Sequence, residues 1–196
     1  MSKPKPQTCS GCAFASQGIS FVPDCAFGPK PIIALWLEAP GAGEVADTQG
    51  SMGYGRPLVG PTGRFFDWQV LSKVGLKREH LLIGNTLRCR PPRNEYPTGK
   101  TRHAAEEFCR QYDQRIREFN PTILYLTYHP SVCFRSPQLV KFVRATMKKA
   151  KRTALLEGER PLVLMGDKAF QLWLSHLKGG LRRWQGHSTK EFEWPK

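Results

Sequence analysis

Three kinds of residue in this chain are placed where they could do chemistry. Glu38 and Glu44 flank the stretch Ala39-Pro40-Gly41-Ala42-Gly43, which follows an apolar run. Either acid could hold an attacking water or stabilise a cationic sugar, and acids in glycine loops also serve as plain turn formers. Asn85 lies near the end of a second apolar run. Its planar amide carries a donor and an acceptor side by side, which suits the edge of a pyrimidine. His129 follows a third apolar run and precedes Pro130-Ser131. An imidazole there could donate to an oxyanion forming on a leaving group.

A fourth set is made of sulfur. The six cysteines stand at 9, 12, 25, 89, 109 and 133. Cys9 and Cys12 form a C-x-x-C that precedes any strand, which argues against a thioredoxin-like redox pair. Cys89 sits beside Pro91-Pro92, and Cys109 lies in the helical stretch after it. Four thiolates at Cys9, Cys12, Cys89 and Cys109 suit tetrahedral zinc or an iron–sulfur cluster, and spacing alone admits both. Cys25 and Cys133 are expected to stay unliganded.

The formal net charge is +14, from 30 Lys+Arg against 16 Asp+Glu. This excess comes in clusters and points to a polyanionic partner, most simply nucleic acid. No apolar run approaches the about 18 residues that a membrane span needs. The start, Met1-Ser2-Lys3-Pro4-Lys5-Pro6, lacks the apolar core of a signal peptide. The expectation is a soluble, cytoplasmic protein with no membrane partner, acting as a monomer.

These groups need elements to hold them. Apolar runs predict strands over 32–37, 80–87, 121–128 and 161–165. Helical spacing predicts helices over 64–74, 101–119, 137–156 and 167–177, and a β-hairpin over 181–194. Residues 12–30 and the glycine-rich 41–63 read as loops, the second with many free backbone N–H groups. Strand, loop and helix recur four times. The fold class is therefore α/β: a three-layer α/β/α sandwich with a central four-stranded, mostly parallel sheet. The ends of the first three strands then meet at one edge and carry Glu38 and Glu44, Asn85 and His129. The basic helix 137–156 is a candidate phosphate contact.

Taken together, these segments resemble the iron–sulfur uracil-DNA glycosylases of the family-four type. The first motif of that family appears as Glu38-Ala39-Pro40-Gly41-Ala42-Gly43-Glu44, and the next as Gly55-Arg56-Pro57-Leu58-Val59-Gly60-Pro61-Thr62-Gly63. Asn85-Thr86-Leu87-Arg88-Cys89-Arg90-Pro91-Pro92-Arg93-Asn94 and His129-Pro130-Ser131 match two more, and the four cysteines match the cluster ligands. The resemblance covers residues 9 to 135 in order. It implies a DNA repair glycosylase that flips uracil out of single- or double-stranded DNA and leaves an abasic site. It implies a structural [4Fe–4S] cluster on Cys9, Cys12, Cys89 and Cys109. Glu38, Glu44 and His129 would be catalytic; Ala39, Gly41, Leu58 and Asn85 would contact the base. Ser131, Phe134 and Arg135 would meet DNA, with Phe134 as a wedge in a loop over 129–135.

The chain departs from that pattern in places. Leu58 replaces the stacking Phe of the family, Leu37 a Gly, and Val45 an Asp, and an insertion of about 46–54 lengthens one loop. The strand at 161–165 and the hairpin at 181–194 resemble parts that precede His-Pro-Ser in the family but follow it here. The expectation is one domain over 1–196, with a cluster-binding segment at 1–30 and a permuted segment at 157–196. The alternative is a non-catalytic or altered-specificity nucleic-acid-binding homologue on the same fold.

Overall fold

The computed structural model describes residues 5–166 and 183–184. Four five-residue strands form the centre of the sheet: β2 (Ile33–Leu37), β3 (Leu81–Asn85), β4 (Ile123–Thr127) and β5 (Pro161–Met165). Two short strands, β1 (Cys25–Ala26) and β6 (Arg183–Trp184), extend its edges, giving the order β1-β3-β2-β5-β4-β6. β1 runs antiparallel to β3, and all other pairs are parallel. β1 lies within a stretch that reads as loop, because two residues are too few to show an alternating pattern.

The central strands are almost wholly apolar because both faces of the sheet are covered. Ile33, Leu35, Leu37, Leu81, Ile83, Ile123, Tyr125, Val163 and Met165 point to one side. They pack on α2 (Pro61–Phe66) and α7 (Val140–Leu156). Ala34, Trp36, Leu82, Leu124, Leu162 and Leu164 point to the other, against Ile116 and Phe119 of α5 (Gln114–Phe119). The sandwich is therefore three-layered. In α7, Val140, Val143, Met147 and Ala150 recur at helical spacing and bury one stripe, leaving Lys141, Lys148 and Arg152 in solvent.

Several boundaries differ from the sequence reading. The glycine-rich stretch 41–63 contains a short helix, α1 (Ala42–Ala46). The helix expected over 64–74 begins at Pro61, whose ring suits a first helical position, and runs through a π turn (Asp67–Leu71) into α3 (Ser72–Val74). Lys151 closes its end by donating to the carbonyls of Val74 and Gly75 at 3.1 and 3.0 Å. The helix expected over 101–119 is two helices, α4 (Gly99–Cys109) and α5. Asp113 leaves helical geometry (φ −80°, ψ 19°) between them. The loop expected over 129–135 is instead a helix, α6 (Pro130–Arg135). The helix over 167–177 and the hairpin over 181–194 lie outside the described residues, apart from Arg183–Trp184. Among the described residues no helix is long and apolar enough to cross a membrane.

Asp113 turns its carboxylate inward to Arg88, which is fully buried. Nη2 of Arg88 lies 2.7 Å from Asp113 and 2.9 Å from Asp24, and the guanidinium covers the Trp36 ring at 4.8 Å. Lost hydration raises both carboxyls, and the Arg88 charge pulls them back. One side chain thus ties the segment before β1, the end of β3 and the start of α5. Removing it would strand two buried acids. We expect Arg88→Met to lower the unfolding free energy by about 3–5 kcal/mol in a urea titration. Arg93→Ala, which breaks an exposed pair with Glu95, should stay within about 0.5 kcal/mol.

Candidate functional site

A cavity of ≈ 450 Å³ opens where β2, β3 and the segment after β4 end. Its lining brings together Glu38, Ala39, Gly41 and Glu44 from the loop after β2, and Leu58 from the loop before α2. Asn85 joins them from β3, and His129, Ser131 and Arg135 from around α6. Nine of the ten residues expected to touch base, water or DNA therefore share one cavity. Phe134 stands outside the lining, 51% exposed, with its ring edge-on to Phe65 at 5.4 Å.

Two loops form one wall, and Glu44 joins them. Its buried carboxylate accepts from the backbone N–H of Gly41 and from that of Leu58. Arg78 then donates to the Leu58 carbonyl at 2.5 Å while gripping Asp67 with Nε and Nη2 at 3.0 Å. Leu58 is held from both sides in a left-handed conformation (φ 56°) that a branched side chain seldom adopts. Close approach explains two glycines here. A Cβ at Gly43 would lie 2.8 Å from Gly60 Cα, and one at Gly63 would lie 1.9 Å from the Leu58 oxygen. The insertion after α1 is closed by Asp47, which accepts from the Arg56 backbone N–H and its Nε at 3.0 and 2.9 Å.

Both oxygens of Glu44 accept backbone amides, so Glu44 ties the wall together as well as lining the cavity. Leu58 packs into the main core and lines the cavity too.

His129 caps α6. Its Nδ1 accepts the Ser131 backbone N–H at 3.1 Å and lies 2.7 Å from the Ser131 hydroxyl. Because that N–H can only donate, the ring proton belongs on Nε2. Lost hydration, helped by the Arg135 charge, pushes the imidazole down to about 4, so it is neutral near pH 7. Asn85 is buried at the end of β3, and neither its Oδ1 nor its Nδ2 has a partner among the described residues.

The cysteines lie beside this cavity. Cys9 belongs to a 3-10 turn (Gln7–Gly11) that Cys12 closes; Cys89 follows β3, and Cys109 ends α4. Phe14, Leu87, Ala105 and partly buried Cys12 pack with Cys89 and Cys109 in one apolar cluster, and Cys9 Sγ lies 3.1 Å from the Tyr112 hydroxyl. Burial pushes the Cys89 thiol up to about 11 and Cys109 to about 12; Cys12 adds to both shifts, and Cys9 to that of Cys89. Cys12, Cys89 and Cys109 thus share one apolar cluster, where a thiolate needs a cation to offset lost hydration. Among the described residues no three His, Cys, Asp or Glu side chains converge to hold a single metal ion. Cys25 on β1 and Cys133 in the main core stand apart from the four.

Sequence reasoning passed over Tyr96, which also lines the cavity. An aromatic between Glu95 and Pro97 reads as an ordinary loop residue. Its only signal is its place just after the Cys89-to-Asn94 motif.

A ligand cavity at the ends of parallel strands, where the strand order reverses, defines an α/β protein of the open-sheet binding class. The chain belongs to the uracil DNA glycosylase superfamily, whose family profile matches residues 27–193. It is 25% identical over 166 residues to the type-4 uracil-DNA glycosylase of Sulfurisphaera tokodaii, covering 65% of this chain and 72% of that protein. A protein of the same description from Archaeoglobus fulgidus is 35% identical over 91 residues, covering 46% of this chain and 41% of that one. A third, from Pyrobaculum aerophilum, is 40% identical over 60 residues, or 31% and 26%. The chain thus spans less than half the length of the second and third of these relatives.

The Glu44 clasp has a pH signature. Burial pushes its carboxyl from 4.5 up to about 7, against the pull of the Gly41 and Leu58 amides and of Arg78. The folded state then holds a proton that the unfolded chain has lost between those values. Stability from this group is full below pH 4.5 and is lost as pH rises through 7. In matched urea titrations we expect the difference between wild type and Glu44→Gln to move against the wild type over that window. A difference independent of pH would show that Glu44 does not titrate there.

Proposed function

We propose that this chain hydrolyses the N-glycosidic bond of uracil in DNA and leaves an abasic site. The observation that carries this reading is the buried, unpartnered amide of Asn85 in the cavity lining. A buried polar group without partners is costly, about 1–3 kcal/mol for each atom left unsatisfied, so it is retained where a ligand completes it. The amide offers one donor and one acceptor in a plane, which matches the O4 and N3–H edge of uracil. The superfamily match and the three relatives support the same reading.

The chemistry follows from the neighbours. The base must leave the stack to enter the cavity. Backbone of Ala39 and Gly41 would contact it. As the glycosidic bond breaks, charge collects on uracil O2, and the neutral His129 would donate Nε2–H to it. A neutral donor strengthens as its acceptor gains charge, which favours the transition state over the ground state. Glu38, on the cavity wall, would hold the attacking water or oppose the charge on the sugar. Arg135 and Ser131 at the mouth would meet the phosphate chain, with Phe134 filling the gap left by the base. The net charge of +14 supports the approach to DNA.

Cys9, Cys12, Cys89 and Cys109 would hold a [4Fe–4S] cluster, with structural zinc as the other candidate. In either form the group would serve structurally, by tying the turn at Cys9 and Cys12 to the ends of β3 and α4. No step of the hydrolysis runs through it.

Purified protein incubated with an oligonucleotide bearing one uracil should yield abasic sites, read as strand breakage after alkali. His129→Ala should lower the rate by about 10²–10³-fold while leaving DNA binding in place. Salt-dependent binding with no excision by the wild type would instead make the chain a non-catalytic homologue, and excision of another deaminated base would change the specificity assigned to Asn85. For the cofactor, a brown protein with visible absorption is expected, bleached by Cys109→Ser and unchanged by Cys25→Ser. A colourless protein holding tight zinc would replace the cluster by the zinc site.

A further inference from the structure

Asn85 can fix a base only within its own plane. Something flat must fix the plane itself, because a flipped base has lost both stacking neighbours. Among the described residues lining the cavity, Tyr96 is the one benzenoid ring. We infer that Tyr96 supplies the stacking face for the extruded base, with Glu106 and Arg102 as the residues that position its ring. The inference rests on the uracil reading above and adds a binding residue to it.

The ring is held more firmly than a loop aromatic needs to be. Its hydroxyl donates to Glu106 Oε1 at 3.0 Å, and Arg102 Nε donates to the same oxygen at 2.9 Å. The Arg102 guanidinium lies over the ring at 5.9 Å from its centre. Arg102 and Glu106 stand one turn apart on α4, and the Glu106 carboxylate is buried. Arg102 thereby covers the ring and Glu106 ties its hydroxyl edge, while the residue lines the cavity. Burial first, and then the charges of Glu106 and Glu38, keep the phenol protonated and so keep the bond to Glu106 in place. Tyr96 and Glu38 of the loop after β2 line the same cavity. Tyr96 and Ala39 of that loop both pack against the Phe14, Cys89 and Cys109 cluster. The base site and the cysteine group thus share a wall, and the last residue of the helix that grips Tyr96 is Cys109.

The test compares Tyr96→Phe, Tyr96→Leu and Tyr96→Ala with the wild type. It measures KM and kcat on uracil-bearing single-stranded DNA and inhibition by free uracil. Loss of the stacking face should weaken free uracil about tenfold or more in the Leu and Ala variants. Tyr96→Phe, which keeps the ring and drops the hydroxyl, should recover most of that loss. Leu keeps the apolar bulk, so a merely structural role would leave it close to the wild type; that result would overturn the inference. Equal losses in Phe and Leu would also overturn it, by assigning the effect to the bond with Glu106. If Ala fails to fold, the Phe and Leu pair still decides. If the wild type excises nothing, the earlier reading fails, and the inference is judged on free-uracil binding by the same order of variants.

Discussion

The site depends on one buried carboxylate. Glu44 takes the backbone N–H of Gly41 with one oxygen and that of Leu58, 14 residues further along the chain, with the other, and so joins two loops. Arg78 completes the clasp from the opposite side by holding the Leu58 carbonyl. Without these bonds Leu58 would relax from its left-handed backbone, and the close contact of Gly43 with Gly60 would open. Local strain is tolerated here because three polar groups over-determine it. The result is a stiff cavity wall built from loops, which on their own would be mobile.

A second buried charge holds the opposite side. Arg88 links Asp24 and Asp113 and lies on Trp36, close in sequence to Asn85 and Cys89. It locks the end of β3, from which the chain passes to Cys89 and on to the Pro91–Tyr96 segment of the cavity. Residues that would bind the cluster, read the base and support the base thus follow one another along a short stretch of chain. This gives the cysteine group a physical route to the cavity, through packing of Phe14, Cys89, Ala39 and Tyr96 rather than through chemistry.

The electrostatics of the cavity differ from those of the surface around it. Outside, Lys and Arg dominate and suit a polyanion. Inside, His129 is neutral, Asn85 is uncharged and Glu44 is neutralised in part by burial. A site with few fixed charges accepts a neutral base readily, and directs its few donors to the charge that appears only as the bond breaks. Affinity for the strand and selectivity for the base are in this way assigned to different regions of the molecule.

Much of this was legible in the residues themselves. The four apolar runs became the four central strands because a doubly covered parallel sheet demands unbroken hydrophobicity, as in Pro161–Met165. Asn85 and His129 could be picked out because polar groups at the ends of such runs must lie at the sheet edge. Tertiary structure decided what local pattern cannot carry. Asp113 breaks a helix because Arg88, 25 residues away, draws its carboxylate inward. The stretch 129–135 is helical because the His129 ring caps the turn that Pro130 begins. Glu38 and Glu44 look alike in sequence and both line the cavity, yet only the fold shows that Glu44 also accepts two backbone amides. Tyr96 gave only the weak signal of following the Cys89-to-Asn94 motif, since its place depends on the contacts that α4 makes with it. Residue types and spacing therefore determined the strands and the candidate chemistry. Only long-range contacts decided which acid, which ring and which backbone groups meet around the cavity, because those contacts join residues whose separation in the chain says nothing of their distance in space.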